Sequence, residues 1–335
     1  MSKRVAVVGA GSWGTALAQV LATAGSQVVM WARKPEVADG ITNDHHNPRY
    51  LSDSILSSSI SATTSIAECV SAADAVLVVT PSSLMRQFAT DMAPYLGSDV
   101  PVALCSKGIE EGTSLLPYEV FSEVLGNSHR LAAICGPNHA EEVIRGLSSG
   151  TVIASESLDT ALVFRDLLAT ESFRCYTSDD VVGVELCAAF KNVIAIAVGL
   201  SYGIGNGDNT AAMLMTRGMA EMGRLVRACG GQPMTVMGLA GAGDLIATCT
   251  SEHSRNRSFG KLLAQGGSLE EYQSRTHMVV EGALACKTIL PLAAKHEVEL
   301  PITERVRKVV WGGESPLEAA NLLVNRPLKS EFWGM

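Results

Sequence analysis

An excess of basic residues is missing from this sequence: 26 Lys and Arg stand against 34 Asp and Glu, for a formal net charge of -8. A chain that neutralises a phosphate backbone needs a basic face, so nucleic acid is not an expected partner. Any anion-binding group must be concentrated locally against a negative whole-molecule field. Paired cysteines are missing too. The eight cysteines stand singly, without a C-x-x-C, mostly in apolar runs where a thiol behaves as a small hydrophobe, which points to a reducing, cytoplasmic setting. His45-His46 lie in a polar loop with no H-x-x-x-H or Cys/His cluster beside them, so no metal is expected. No apolar run reaches the roughly 18 residues of a membrane span. The longest, 186–200, is broken by Lys191-Asn192. The opening MSKRVAVVGAG places two basic residues before an apolar run, but glycines interrupt it at once and no cleavage-like boundary follows, so it reads as a mature N-terminus. Internal repeats and low-complexity segments are likewise absent.

What is present describes a globular protein larger than one core: 335 residues, 47% hydrophobic and 18% charged, give an expectation of two domains. Short apolar runs recur between turn residues at 5–8, 27–32, 60–62, 75–80, 100–105, 131–135 and 151–154. Most are nearly continuous in Val, Ile, Leu and Ala, as parallel strands covered on both faces are, and helical patterns such as 15–24 and 84–92 lie between them. A last strand at 173–177 precedes a change of texture, after which helical patterns alone follow, at 181–200, 210–229, 254–265, 282–295 and 302–311. The expected architecture is α/β: an N-terminal Rossmann-type doubly wound domain over 1–180, then an all-helical substrate and catalytic domain over 181–335. Glycine-dense stretches at 199–207 and 238–243 read as loops within the helical half.

Gly9-Ala10-Gly11-Ser12-Trp13-Gly14 follows the strand VAVV directly and opens a helix. The first glycine permits the tight turn, the second lets the backbone approach a pyrophosphate, and the third lets helix and strand pack closely. The helix N-terminus supplies N–H groups and positive dipole. A dinucleotide cofactor is therefore expected. At the end of the second strand an NAD enzyme places an acid on the ribose 2′-OH, but this chain reads Met30-Trp31-Ala32-Arg33-Lys34. Arg33 suits a 2′-phosphate, so NADP(H) is preferred and NAD(H) remains possible; a solvated pair of surface cations is the alternative.

Lys191 and Asn192 are the strongly polar residues of an otherwise apolar helix, so the ammonium needs a partner or a ligand. Desolvation and nearby cations lower a lysine's pKa toward the range useful for proton transfer to a carbonyl or alcohol oxygen. Pairing with Glu185, or snorkelling to the surface, is the structural alternative. A second group combines Gly241-Ala242-Gly243-Asp244 with Ser254-Arg255-Asn256-Arg257, placing a carboxylate on a glycine loop near hydroxyl, guanidinium and amide donors at a helix start. It suits a phosphate-bearing substrate. Ser254 as a plain N-cap with solvated arginines is the other reading.

Together these residues resemble the bacterial-type NAD(P)-dependent glycerol-3-phosphate dehydrogenases. The resemblance is carried in order by VAVVGAGSWGTALA, Cys105–Glu110, Cys135–Ala140, Ala189–Val193, Gly238–Leu245 and Ser254–Arg257. It implies reduction of dihydroxyacetone phosphate to sn-glycerol 3-phosphate for phospholipid synthesis, in the cytoplasm, by a homodimer. It further implies Lys191 as proton donor or acceptor, with Lys107 and Asp244 completing the catalytic surroundings. Gly136, Asn138, Ser254, Arg255 and Asn256 would hold the substrate, with Lys107, Lys191 and Asp244. Gly9, Gly11, Ser12, Trp13, Gly14, Arg33, Tyr50, Lys107, Ala140, Arg255, Val279 and Glu281 would line the cofactor. Asn138 departs from the Ser or Thr more usual in the family, and Tyr50 reads equally as a surface aromatic. A β-hydroxyacid dehydrogenase of the same architecture and a non-catalytic dinucleotide sensor are the rival functions.

Overall fold

The computed structural model describes residues 2–276, 279–331 and 333–334. The chain divides into two compact units, Met1–Ser106 with Pro117–Val181, and Lys107–Leu116 with Val182–Met335. Lys107 thus belongs with the helical unit, in a ten-residue segment flanked on both sides by sequence of the first unit.

In the first unit, β1 (Arg4–Val8), α1 (Ser12–Thr23), β2 (Gln27–Trp31), α2 (Pro35–Asn43), β3 (Ile60–Thr63), α3 (Ile66–Val70), β4 (Ala75–Val78), α4 (Met85–Met92) and β5 (Val102–Leu104) alternate. Then come α5 (Pro117–Leu125), β6 (Leu131–Cys135), α6 (Ala140–Val143), β7 (Ser149–Ala154), α7 (Leu158–Leu168) and β8 (Phe173–Ser178). The eight strands form one sheet in the order β3-β2-β1-β4-β5-β6-β7-β8. Val5–Val8 and Ala75–Val78 are wholly buried, which is why they read as continuous apolar runs. The register Val8↔Trp31 and Val8↔Val78 brings the C-terminal ends of β1, β2 and β4 level, at the reversal of strand order where such folds bind ligands. Two strands depart from the parallel expectation: after Cys135 the chain turns back through Gly136-Pro137 and the one-turn α6, β7 enters antiparallel to β6, and β8 runs parallel to β7.

The second unit contains α8 (Val181–Gly203), α9 (Asp208–Ala228), α10 (Asp244–Thr250), α11 (Arg255–Ala264), α12 (Leu269–Thr276), α13 (Glu281–Lys295), α14 (Pro301–Gly312) and α15 (Pro316–Val324). Helix α8 is longer than the 186–200 run implied. By length and composition it could cross a membrane, yet 94% of its most apolar window is buried, as befits the central helix of a core. The glycine stretch at 238–243 is also no simple loop. Leu239–Gly243 is a π-helical turn that runs straight into α10, so Asp244 begins a helix.

Backbone-to-backbone contact fixes α8 against its neighbours. A Cβ on Gly199 would lie 2.1 Å from the Arg257 carbonyl oxygen, one on Gly260 2.3 Å from that of Ile196, and one on Gly282 2.5 Å from that of Asn192. Only glycine allows α11 and α13 to approach α8 so closely. Gly260→Ala is expected to force α11 outward and to cost about 1–3 kcal/mol by overpacking, read as a lowered thermal midpoint.

Candidate active site

The glycine turn of the first unit has the shape its sequence predicts. Gly9 adopts φ +126°, and a Cβ there would lie 2.4 Å from the Val79 carbonyl oxygen, so the turn closes against the end of β4. A Cβ on Gly14 would lie 1.9 Å from the Gly9 oxygen, whereas one on Gly11 would meet nothing within 4 Å. Two glycines thus serve packing and the middle one faces open space. Helix α1 begins at Ser12 and Trp13 with no side-chain cap, leaving its first N–H groups for an anion. These residues fit a dinucleotide pyrophosphate.

Around that turn, Arg33 is exposed and pairs with no carboxylate among the described residues. Tyr50 is 39% exposed, in a loop tied down by buried Asn47. The Asn47 amide donates to the Ala10 carbonyl (3.1 Å) and Thr15 Oγ1 (2.9 Å), and its oxygen accepts from the Arg49 and Tyr50 N–H groups. Trp13 packs 6.5 Å from Phe173, centroid to centroid. Ala140 is buried at the start of α6. Gly136 is required by packing, since a Cβ there would lie 2.6 Å from the Gly150 oxygen. Asn138 donates to that same oxygen at 3.0 Å, and its own Oδ1 is buried without a partner.

In the second unit the sequence singled out three residues that the fold brings into direct contact. Asp244, buried, accepts from Lys107 Nζ at 2.9 Å through one carboxylate oxygen and from Lys191 Nζ through the other. Lys191 also donates to Thr248 Oγ1 at 2.8 Å, and Thr248 in turn donates to the Asp244 carbonyl at 2.6 Å. Burial pushes the Asp244 carboxyl upward, but the charges and hydrogen bonds of Lys107 and Lys191 outweigh it and hold the group below the ordinary carboxylate range. Two ammonium groups thus converge on one buried carboxylate. The neighbouring Cys249 thiol is driven up to about 12, chiefly by burial, so it stays protonated and supplies no nucleophile.

The stretch 254–257 separates into different tasks. Ser254 caps α11, accepting from the Arg257 N–H at 3.3 Å. Asn256 is built into the interior: it donates to Asn192 Oδ1 at 2.8 Å and accepts from the Gly282 N–H at 3.0 Å. Asn192 in turn reaches Glu281 at 3.4 Å. Arg257 donates to the Ser251 carbonyl and lies over the Tyr202 ring at 5.2 Å. Arg255 is exposed, with no carboxylate partner among the described residues, and Val279 is 43% exposed before α13. Sequence reasoning missed Thr248 and Asn47. Reading 244–250 as a helix would have placed Thr248 at i+4 beside Asp244, and the Asn-Pro pair at 47–48 signals a turn-forming side chain.

Comparison with known proteins places the whole chain in one family. Two family models match, the NAD-dependent glycerol-3-phosphate dehydrogenase N-terminus over residues 4–161 and C-terminus over 180–321. A glycerol-3-phosphate dehydrogenase [NAD(P)+] of Nocardia farcinica is 45% identical over 335 residues, 98% of this chain and 99% of that protein. One from Enterococcus faecalis is 44% identical over 333 residues, 99% of this chain and 98% of that protein. The crystal structure of glycerol-3-phosphate dehydrogenase from Coxiella burnetii superposes with a TM-score of 0.92 at 36% identity, covering 97% of this chain and 99% of that one.

Asp244→Asn is expected to leave two ammonium groups without their counter-charge and to cost about 3–5 kcal/mol. Because the folded state holds the carboxyl below its ordinary 3.8, its contribution is present above that value and lost as pH falls through the folded-state one. Thermal midpoints measured from pH 7 downward should therefore show an acid-dependent loss in the wild type that is smaller in the variant.

Proposed function

The chain belongs to the NAD-dependent glycerol-3-phosphate dehydrogenase family, and from that premise we propose that the Lys107–Asp244–Lys191 cluster is its reaction centre. The reaction is NAD(P)H-dependent reduction of dihydroxyacetone phosphate to sn-glycerol 3-phosphate, the backbone precursor of phospholipids. The observation that carries the site assignment is one buried carboxylate shared by two lysines.

Reduction of a ketone delivers a hydride to carbon and leaves negative charge on oxygen. The bound nicotinamide supplies the hydride. Lys191 donates its proton to the C2 oxygen as charge develops there, and in the reverse direction takes it back. Lys107 adds positive charge at the same oxygen, where a preorganised cation in a desolvated place is worth far more than in water. Asp244 keeps both lysines charged and aimed, and Thr248 fixes the Lys191 ammonium from a second direction. The substrate phosphate falls to Arg255, the exposed cation of the 254–257 stretch, with the Ser254 hydroxyl beside it. Asn256, held by Asn192 and the Gly282 N–H, keeps one N–H and one lone pair for the substrate and also holds α11 in place. Gly136 and Asn138 remain proposed as substrate contacts of the first unit, Ala140, Tyr50 and Arg33 as cofactor contacts of that unit, and Glu281 and Val279 as cofactor contacts of the second. The exposed Arg33 favours NADP(H) over NAD(H). Eight free cysteines support a cytoplasmic location, and the homodimer rests on the family resemblance alone. The family assignment decides against the β-hydroxyacid dehydrogenase and sensor readings.

Lys191→Ala is expected to lower kcat for dihydroxyacetone phosphate by about 10²-fold or more while NADPH still binds, and a wild-type kcat in the folded variant would refute the assignment. Arg255→Ala is expected chiefly to raise KM for that substrate; an unchanged KM would remove the phosphate contact.

A further inference from the structure

Beyond Arg33, the segment after β2 gathers two more cations around one carboxylate. Glu36 Oε1 lies 3.8 Å from Lys34 Nζ and 3.7 Å from Arg49 Nε, so a single oxygen bridges both. The side chains are 39% to 56% exposed, and surface pairs of this kind add little to stability. The fold therefore does not depend on them. Their position, by contrast, is set firmly. Lys34 and Glu36 are fixed at the start of α2, which has Pro35 in its first turn and no side-chain cap. Arg49 is fixed from the other side, because buried Asn47 accepts from its N–H while donating to the Ala10 carbonyl inside the phosphate-binding turn. A loop that would otherwise wander is thereby held in register with the pyrophosphate site.

We infer that Glu36, Lys34 and Arg49 form the element that discriminates between the ribose 2′-hydroxyl of NAD(H) and the 2′-phosphate of NADP(H). The inference rests on the reading above that the end of β2 receives the adenosine ribose. A phosphate monoester carries a charge of about -1.5 to -2 and binds guanidinium in a two-pronged pair. Arriving at this place, it displaces Glu36 from Arg49 and Lys34 and takes both cations. With a 2′-hydroxyl there is no such competitor. Glu36 then keeps its two cations and offers a lone pair to the hydroxyl, the task that an acid at the end of β2 performs in NAD enzymes. One carboxylate held between two cations lets a basic strand end accept either cofactor. Glu36 has a definite sign in this scheme, opposing the phosphate and favouring the hydroxyl.

Equilibrium binding separates the possibilities without turnover. The full-length protein and its Glu36→Gln, Arg49→Gln and Arg33→Gln variants would be titrated calorimetrically with adenosine 2′,5′-bisphosphate, NADPH and NADH, with thermal midpoints recorded to confirm folding. Glu36→Gln should tighten adenosine 2′,5′-bisphosphate and NADPH and weaken NADH. Arg49→Gln should weaken the two 2′-phosphorylated ligands about 10-fold, the scale of one charge-assisted hydrogen bond, and leave NADH within about twofold. If both variants keep the wild-type ratio of NADPH to NADH affinity while Arg33→Gln changes it, the proposal is overturned and the ribose subsite stands. If Arg33→Gln keeps that ratio as well, the ribose subsite itself is misplaced and the proposal falls with it.

Discussion

A single buried carboxylate, Asp244, between the ammonium groups of Lys107 and Lys191 is the constraint on which the proposed reaction centre depends. An unpaired lysine in an apolar core is too costly to keep charged, and two would be costlier. Asp244 removes that cost, and the fold supplies it from an unusual element. Gly241 closes the π-helical turn ahead of α10 so tightly that a Cβ there would lie 2.2 Å from the Val236 oxygen, which sets where α10 starts. Lys191 comes from the central helix α8, and Lys107 from a segment of ten residues that leaves the α/β unit and joins the helical core through Ile109 and Leu116. Three distant parts of the chain meet on one side chain. Two ammonium groups gathered in one place suit an oxygen that gains negative charge during reaction.

Around this cluster the polar groups divide between building the site and serving the ligand. Asn192, Asn256, Glu281 and the Gly282 N–H form a chain of hydrogen bonds linking α8, α11 and α13. Gly199, Gly260 and Gly282 let those helices approach backbone to backbone. Such groups act by fixing distances, since a displacement of α11 carries Arg255 with it. The glycine turn of the first unit follows the same logic: Gly9 and Gly14 are consumed by packing, and Gly11 leaves room for a ligand.

Much of this was legible in the sequence because it follows from local periodicity. Buried parallel strands appear as unbroken apolar runs, the phosphate turn requires its glycines at fixed spacing, and Lys191 stands out against an apolar helix. What could not be read depends on contacts far apart in sequence. The partner of Lys191 lies 53 residues away, and that of Lys107 lies 137 away. The residue types of 254–257 gave no hint that Asn256 and Arg257 bond inward while Arg255 faces solvent, because amide and guanidinium donors serve protein and ligand equally well. Glycines at 238–243 indicated a loop, whereas their small size is used to wind a tight helical turn. The reversal of β7 and β8 left no trace in their composition, since the connection after Cys135, and not residue type, sets strand direction.

The account predicts that the substrate oxygen at C2 is bonded to Lys191. A crystal structure of the complex with NADP+ and sn-glycerol 3-phosphate measures this directly. Lys191 Nζ within hydrogen-bond reach of that oxygen, about 2.6–3.2 Å, and still paired with Asp244 is the expected result. A substrate whose C2 oxygen is bonded to a different donor, with Lys191 turned only toward Asp244 and Thr248, would contradict it.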